Sequence, residues 1–164
     1  MSDSGQRFPI GVAPVVERLS AAERGRAIDD IEACPGRLRR TIDGLDGTQL
    51  DTPYRDGGWT VRQVVHHLAD SHMNAYVRHK LAVTEELPTI KPYDQDRWAE
   101  LADGRQGDPQ VSLVLLESLH DRWVRYLRSL PPEAFGRAFV HPEMNARVTL
   151  DGRVANYAWH GRHH

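Results

Sequence analysis

The sequence predicts an all-α fold, a four-helix bundle with long crossover loops, in one domain spanning residues 1–164. Three observations predict it. Apolar residues recur at spacings near three, four and seven in four separate stretches, the pattern that buries one stripe of a helix. The alternation of a half-buried strand is nearly absent, and no internal repeat is visible. Segments rich in Pro and Gly separate the four stretches, as connections between packed helices do. The chain is long enough for such a core, because a domain of this size buries roughly 68–70% of its unfolded surface.

Residues 1–20, with Pro9 and Pro14, read as an extended surface arm. The first helix is expected from Ala21 to about Asp43 on the stripe Ile28, Ile31, Leu38 and Ile42, with Ser20 and Glu23 forming a capping box. Pro35 lies inside it and predicts a kink or break near Cys34, since proline lacks the N–H and crowds the preceding turn. Thr52 to Trp59 reads as a loop around paired glycines. The second helix is expected from Thr60, capped reciprocally with Gln63, to about Glu86 before Pro88. Val61, Val64, Val65, Leu68, Ala75, Tyr76 and Val83 form its apolar face. A longer connection follows, with one short helix between Asp94 and Leu101. Val111 to about Leu130 predicts the third helix, on Leu115, Leu119, Trp123 and Tyr126 or Leu127, stopped by Pro131 and Pro132. Residues 133–150 read as irregular, with a short extended piece from Arg147 to Leu150. Asp151 or Gly152 opens the fourth helix, which carries Val154, Tyr157, His160, Gly161 and His164.

Composition excludes several functions. Twenty-one Lys and Arg against 23 Asp and Glu give a net charge of −2, so no basic field exists to hold a phosphate backbone, and nucleic acid is not an expected partner. No apolar run approaches the roughly 18 residues that span a bilayer, and Met1 to Arg7 lack the apolar stretch of a signal peptide. The single cysteine, Cys34, excludes an internal disulfide and a thiolate-rich zinc site. A cytoplasmic protein is expected.

Nine histidines stand out against this ordinary background. His120, on a helix surface, and His141, in a loop, are expected to be solvated. The second helix carries His66, His67, His72 and His79. At about 100° per residue, His72 and His79 share the stripe of Val61, Val65 and Leu68. His67 falls on one flank beside Val64 and Ser71, and His66 on the other, so periodicity favours His72 as the inward residue. In the last helix His160 and His164 are four apart, which stacks two imidazoles on one face as a metal-binding helix does. His163, three from His160, is also within reach, and spacing does not choose between them. The competing reading is a polar, histidine-rich helix end similar to an affinity tag.

The run from Leu50 to Asn74 (LDTPYRDGGWTVRQVVHHLADSHMN) resembles the YfiT group of the DinB-like superfamily. Phe8-Pro9-Ile10-Gly11, Lys91-Pro92-Tyr93-Asp94 and Tyr157-Ala158-Trp159-His160 extend the resemblance over nearly the whole chain, in order. It implies a four-helix bundle holding one divalent metal ion, zinc or nickel, on three histidines. It also implies a cytoplasmic homodimer with metal-dependent hydrolase activity on a small molecule. Superfamily relatives use low-molecular-weight thiols such as bacillithiol, mycothiol or glutathione as co-substrates. The ligands implied are His67, just before Leu68; His160, after Trp159; and His164, four residues later. That choice overrides the periodicity in favour of His72. Relatives resembling this chain continue the last helix beyond the third histidine, and a ligand on a fraying terminal turn is a weak one, so the expectation is either a fragment of a longer chain or a compromised metal affinity.

Three neutral imidazoles leave a divalent charge uncompensated and at least one coordination position open, the composition of a catalytic rather than a structural site. Such an ion activates water for hydrolysis, or a thiol for transfer to an electrophile. A metal-dependent hydrolase is the leading reading and a thiol S-transferase the alternative. A non-catalytic metal-binding or dimerisation module is the third, since no general base stands out. Ligating imidazoles usually donate their second N–H to a carboxylate or carbonyl, for which Asp56, Asp70 and Asn156 are nearest in sequence. Arg55 either steers an anionic substrate or pairs with Asp56. Trp59 and Trp159 read as packing residues.

Overall fold

From the N-terminus the elements are α1 (Ala21–Ile42), the one-turn α2 (Gly47–Leu50), α3 (Val61–Thr84), the short α4 (Gln95–Ala99) and α5 (Ala102–Gln106), α6 (Pro109–Ser129), strands β1 (Ala138–His141) and β2 (Ala146–Thr149), and α7 (Leu150–His163). The structure, a computed structural model, describes residues 8–164. Met1 to Arg7, the stretch read for a signal peptide and the start of the arm, lie outside the described residues. No helix among the described residues is long and apolar enough to cross a membrane.

The helix starts follow their capping residues. Ser20 and Glu23 form the reciprocal box at α1, and Thr60 and Gln63 form it at α3. α6 begins two residues before the apolar pattern does, because the Asp108 carboxylate accepts from the Gln110 N–H and Pro109 fits the first turn without a lost bond. Two short helices, not one, occupy the connection after α3. Residues 138–149 form a two-stranded antiparallel hairpin in which Ala138 faces Thr149 and His141 faces Ala146. The second strand, Ala146–Thr149, coincides with the extended piece expected from Arg147 to Leu150, whereas the first, four residues long, is too short to show alternation and read as irregular. His141 therefore sits in a half-buried strand and not in a solvated loop.

α1 packs on α6 and α7, and α3 packs on the same two helices. α1 and α3 thus lie across one diagonal of the bundle and α6 and α7 across the other. Both connections that join diagonal partners, residues 43–60 and 130–149, must cross the bundle end. Trp123, Phe139, Leu150 and Val154 centre one core cluster, and Leu38, Val65, Leu68, Leu113 and Leu116 a second. Truncating a buried aromatic such as Trp123 costs about 3–5 kcal/mol.

α1 runs unbroken through Pro35, contrary to the expected kink or break. The missing N–H leaves the Ile31 carbonyl, four residues earlier, without its helical donor. That carbonyl accepts instead from His120 Nδ1 at 2.7 Å, so the helix loses no hydrogen bond at this point. α7 is fixed to α1 at both ends. Asp151, 0% exposed, accepts from Arg24 Nε at 2.7 Å, Arg24 Nη2 at 3.0 Å and the Leu19 N–H at 3.1 Å. At the far end a Cβ on Gly161 would lie 2.7 Å from Cys34 Sγ, so glycine permits the helices' close approach.

Candidate metal centre

His67 on α3 and His160 and His164 on α7 each offer one ring nitrogen, and the three atoms lie within 4.8 Å of one another. Ring centroids are 5.5 Å apart for His67 and His160, 5.1 Å for His67 and His164, and 4.7 Å for His160 and His164. Two helices meet here because α3 buries a wide arc rather than one stripe. α6, α7, α4 and α5 all pack on it, enclosing Val65, His67, Leu68, Ala69, Ser71 and His72. Both His67, 5% exposed, and His72 therefore face inward.

Burial disfavours the charged imidazole. It pulls His67 down to about 4 and His160 well below the ordinary histidine range. The terminal residue His164 is exposed overall, but its ring is packed among the others, and burial pulls it to about 3. All three rings are neutral near pH 7, with lone pairs to offer. Nitrogen ligands sit about 2.0–2.1 Å from zinc, so small side-chain rotations suffice to close this set on one ion. Among the described residues no fourth His, Cys, Asp or Glu joins the group. His163 stacks on Trp159, with centroids 4.4 Å apart and planes at 15°, and stays outside it. His66 points away, bonding Ser112 Oγ at 2.8 Å and the Gly107 carbonyl at 3.2 Å.

The three rings meet the wall of a cavity of about 330 Å³ that Tyr54, Arg55, Trp59 and Trp159 also line. The loop between α2 and α3 forms one side, closed by the Tyr54 N–H donating to the Trp59 carbonyl at 3.1 Å and turned by Gly57 at φ +66°. Trp59 packs on His67 with centroids 4.6 Å apart. The tryptophans expected as packing residues are thus cavity walls. Arg55 donates from Nη1 to the Asp56 carbonyl at 3.1 Å and from Nε to Tyr54 Oη at 3.1 Å.

Behind the cavity runs a chain of imidazoles from α6, α3 and α7 that ends on a backbone carbonyl of α1. His120, expected on the surface, is 2% exposed. The buried stripe of α6 is Leu113, Leu116, His120, Trp123, Val124 and Leu127, whereas Leu115 is exposed, so a stripe drawn through apolar residues alone was displaced around the helix. Nδ1 of His120 bonds the Ile31 carbonyl at 2.7 Å, and its Nε2 lies 2.8 Å from Nδ1 of His72. Nε2 of His72 lies 3.1 Å from Nδ1 of His160. A carbonyl only accepts, so Nδ1 of His120 carries its proton. With neutral rings, Nε2 of His120 then accepts from His72, and Nε2 of His72 accepts from His160. Burial holds His72 well below the ordinary range and His120 at about 4, which keeps both rings neutral. The chain leaves Nε2 of His160 as a bare lone pair.

Cys34, His72 and His120 form a second close group of ligand-type atoms. Burial pushes the Cys34 thiol up to about 11, and the chain above occupies both nitrogens of each imidazole, so this group does not suit a cation. Among the described residues, Asp56, Asp70 and Asn156 make no hydrogen bond to His67, His160 or His164. The partner behind His160 is His72, which sequence proximity could not supply.

The DinB superfamily model matches residues 30–164 of the chain. The chain belongs to the DinB superfamily. This DinB chain is 47% identical over 164 residues to YfiT of Bacillus subtilis, covering 100% of the present chain and 92% of the relative. It is 52% identical over 158 residues to a protein of Bacillus mycoides strain KBAB4, covering 96% and 90%. Both relatives are provisionally named metal-dependent hydrolases. The solved structure of Bacillus subtilis YfiT, described as having an unusual four-helix bundle topology, matches with a TM-score of 0.95 over 97% of this chain and 91% of that one.

Proposed function

We propose that His67, His160 and His164 hold one divalent cation, zinc or nickel, and that the protein is a metal-dependent hydrolase of a small-molecule substrate. The observation that carries this is the convergence of three neutral imidazole nitrogens, with no carboxylate or thiolate among them, on a cavity of about 330 Å³. Imidazole donors suit zinc and nickel, and a three-ligand set leaves a position for substrate. When bound, the cation supplies Lewis-acid activation of the group that enters that position. The relatives' names support the same reading.

The chain's own residues prepare the site. His72 holds the His160 ring by its Nδ1–H and so keeps Nε2 turned toward the cavity. Trp59 covers His67 on one side and keeps bulk water from it. The Asp151–Arg24 pair and the Cys34–Gly161 contact hold α7, and with it two of the three ligands, against α1. The reading extends to one domain over residues 1–164, resident in the cytoplasm. The exposed Val111, Val114 and Leu115, on one stripe of α6, support the homodimer that the family resemblance implies.

Elemental analysis of purified wild type and His67→Ala tests the assignment. One cation per wild-type chain and its loss in the variant are expected, and equal metal content in both overturns it. Ester or amide turnover without added thiol identifies the hydrolase. Conjugation of bacillithiol to monochlorobimane above the uncatalysed rate identifies thiol transfer on the same cation. Metal binding with neither activity identifies the non-catalytic module.

A further inference from the structure

A second cavity, of about 480 Å³, adjoins the first, and His160 and Gln95 line both. Its wall carries Arg78 from α3, Arg153 from α7 and His141 from β1. Arg78 is only 6% exposed and Arg153 is half-buried. A guanidinium stays charged in a protein, so burying one is costly unless an anion completes its surroundings. Neither arginine forms an ion pair among the described residues. Arg78 donates from Nη2 to the Lys91 carbonyl at 3.0 Å. Arg153 donates from Nη2 to Tyr157 Oη at 3.3 Å and lies over the Tyr157 ring at 4.9 Å, while its buried Nε has no partner. Nδ1 of His141 is also buried and unpartnered.

The carboxylates in the wall, Asp94 and Glu143, form no ion pair with either arginine, although Glu143 lies close enough to act on Arg78 and His141 through its charge. Asp94 accepts from the Arg97 N–H at 3.0 Å as the cap of α4, and Glu143 is exposed. Burial pulls Arg78 below the ordinary arginine range and the charge of Arg153 beside it adds to this, while Tyr157, Tyr93 and the Glu143 carboxylate oppose it only in part.

We propose that this second cavity is an oxyanion subsite, in which Arg78 and Arg153, with His141 beside them, bind the carboxylate or phosphate of a small-molecule substrate whose reacting group lies at His160. Planar N–H arrays match either group. The subsite's part in turnover rests on the hydrolase reading above, but the binding of the anion does not.

Titrating chelator-stripped protein with inorganic phosphate and, separately, with acetate tests the proposal, read by calorimetry and by the arginine Nε–H signals in NMR. Saturable binding that shifts the Arg153 Nε–H signal is expected. Arg78→Gln and Arg153→Gln each weaken it by about tenfold or more, the loss of a charge-assisted contact. Arg153→Lys retains part of it. Arg125→Gln, which removes an exposed cation on α6, leaves it unchanged. If Arg78→Gln does not fold, Arg153→Gln decides alone. A tighter grip on phosphate marks a phosphorylated substrate, and a tighter grip on acetate a carboxylate. Failure to saturate at millimolar probe, or equal affinity in Arg153→Gln and wild type, overturns the subsite. His67→Ala keeps anion binding while losing the cation, so the two readings fail separately.

Discussion

His67 and His72 sit five residues apart on one helix, both buried and both neutral, yet they belong to different devices. His67 joins His160 and His164 at a cavity wall, where lone pairs have no protein partner. His72 joins His120 in a closed core, where each nitrogen is spent on a neighbour. The difference teaches that burial and residue type do not make a ligand. What decides is whether a ring nitrogen is left without a protein partner where it faces the cavity. His160 alone belongs to both devices, because its Nδ1 ends the buried chain and its ring lines the cavity.

The largest effect that would test this contrast is at that junction. His160→Ala removes a proposed ligand and the end of the chain together, and elemental analysis should find no stoichiometric metal. His120→Phe leaves the cavity untouched but strips His72 of its acceptor. Competition against a chelator should show affinity lower by about 10–100-fold, the usual consequence of losing support behind a ligand. Long-range proton–nitrogen NMR should show the His160 proton on Nδ1 in wild type and mixed between the two nitrogens in the variant. An unchanged affinity would mean that the buried chain is packing alone.

Pro35→Ala sharpens the comparison further, because its two effects run in opposite directions. Alanine restores the N–H that competes with His120 for the Ile31 carbonyl, while removing an unfavourable helix residue. Metal affinity should fall severalfold while Tm holds or rises. The smallest effect is on pH. His79, buried and accepting from Trp123 Nε1 at 2.9 Å, is pulled by burial from 6.5 to about 3. The unfolded chain takes up its proton first as pH falls, so this contribution is whole above pH 6.5 and declines toward pH 3. By pH 5 it has cost about 2 kcal/mol, visible as a lower Tm in metal-free protein at pH 5 than at pH 7.

Much of the bundle was legible in the chain. The capping residues Ser20 and Thr60 and the stripe of Ile28, Ile31, Leu38 and Ile42 act locally, through bonds and spacings within one helix, so they can be read without a partner. Of the hairpin only the second strand was legible, as the extended piece from Arg147; its partner at Ala138–His141 was not, since four residues leave no period. His120 was missed for a related reason. A stripe drawn through apolar residues omits a buried polar one, although Leu113, Leu116, Trp123 and Leu127 bracket it at helical spacing. Pro35 was recognised as a helix interruption, but the partner for its orphaned carbonyl comes from 89 residues away.

By itself the sequence determined the all-α class, the helix starts, and the histidines at four-residue spacing on the last helix, because propensity, capping and periodicity are properties of neighbours along the chain. Only the tertiary structure decided that His67 meets α7, that His120 and His72 stand behind His160, and that two arginines share a cavity with no ion pair to either among the described residues. Each depends on the diagonal packing of helices remote in sequence, and burial, tautomer and charge follow from what surrounds a ring or a guanidinium in space.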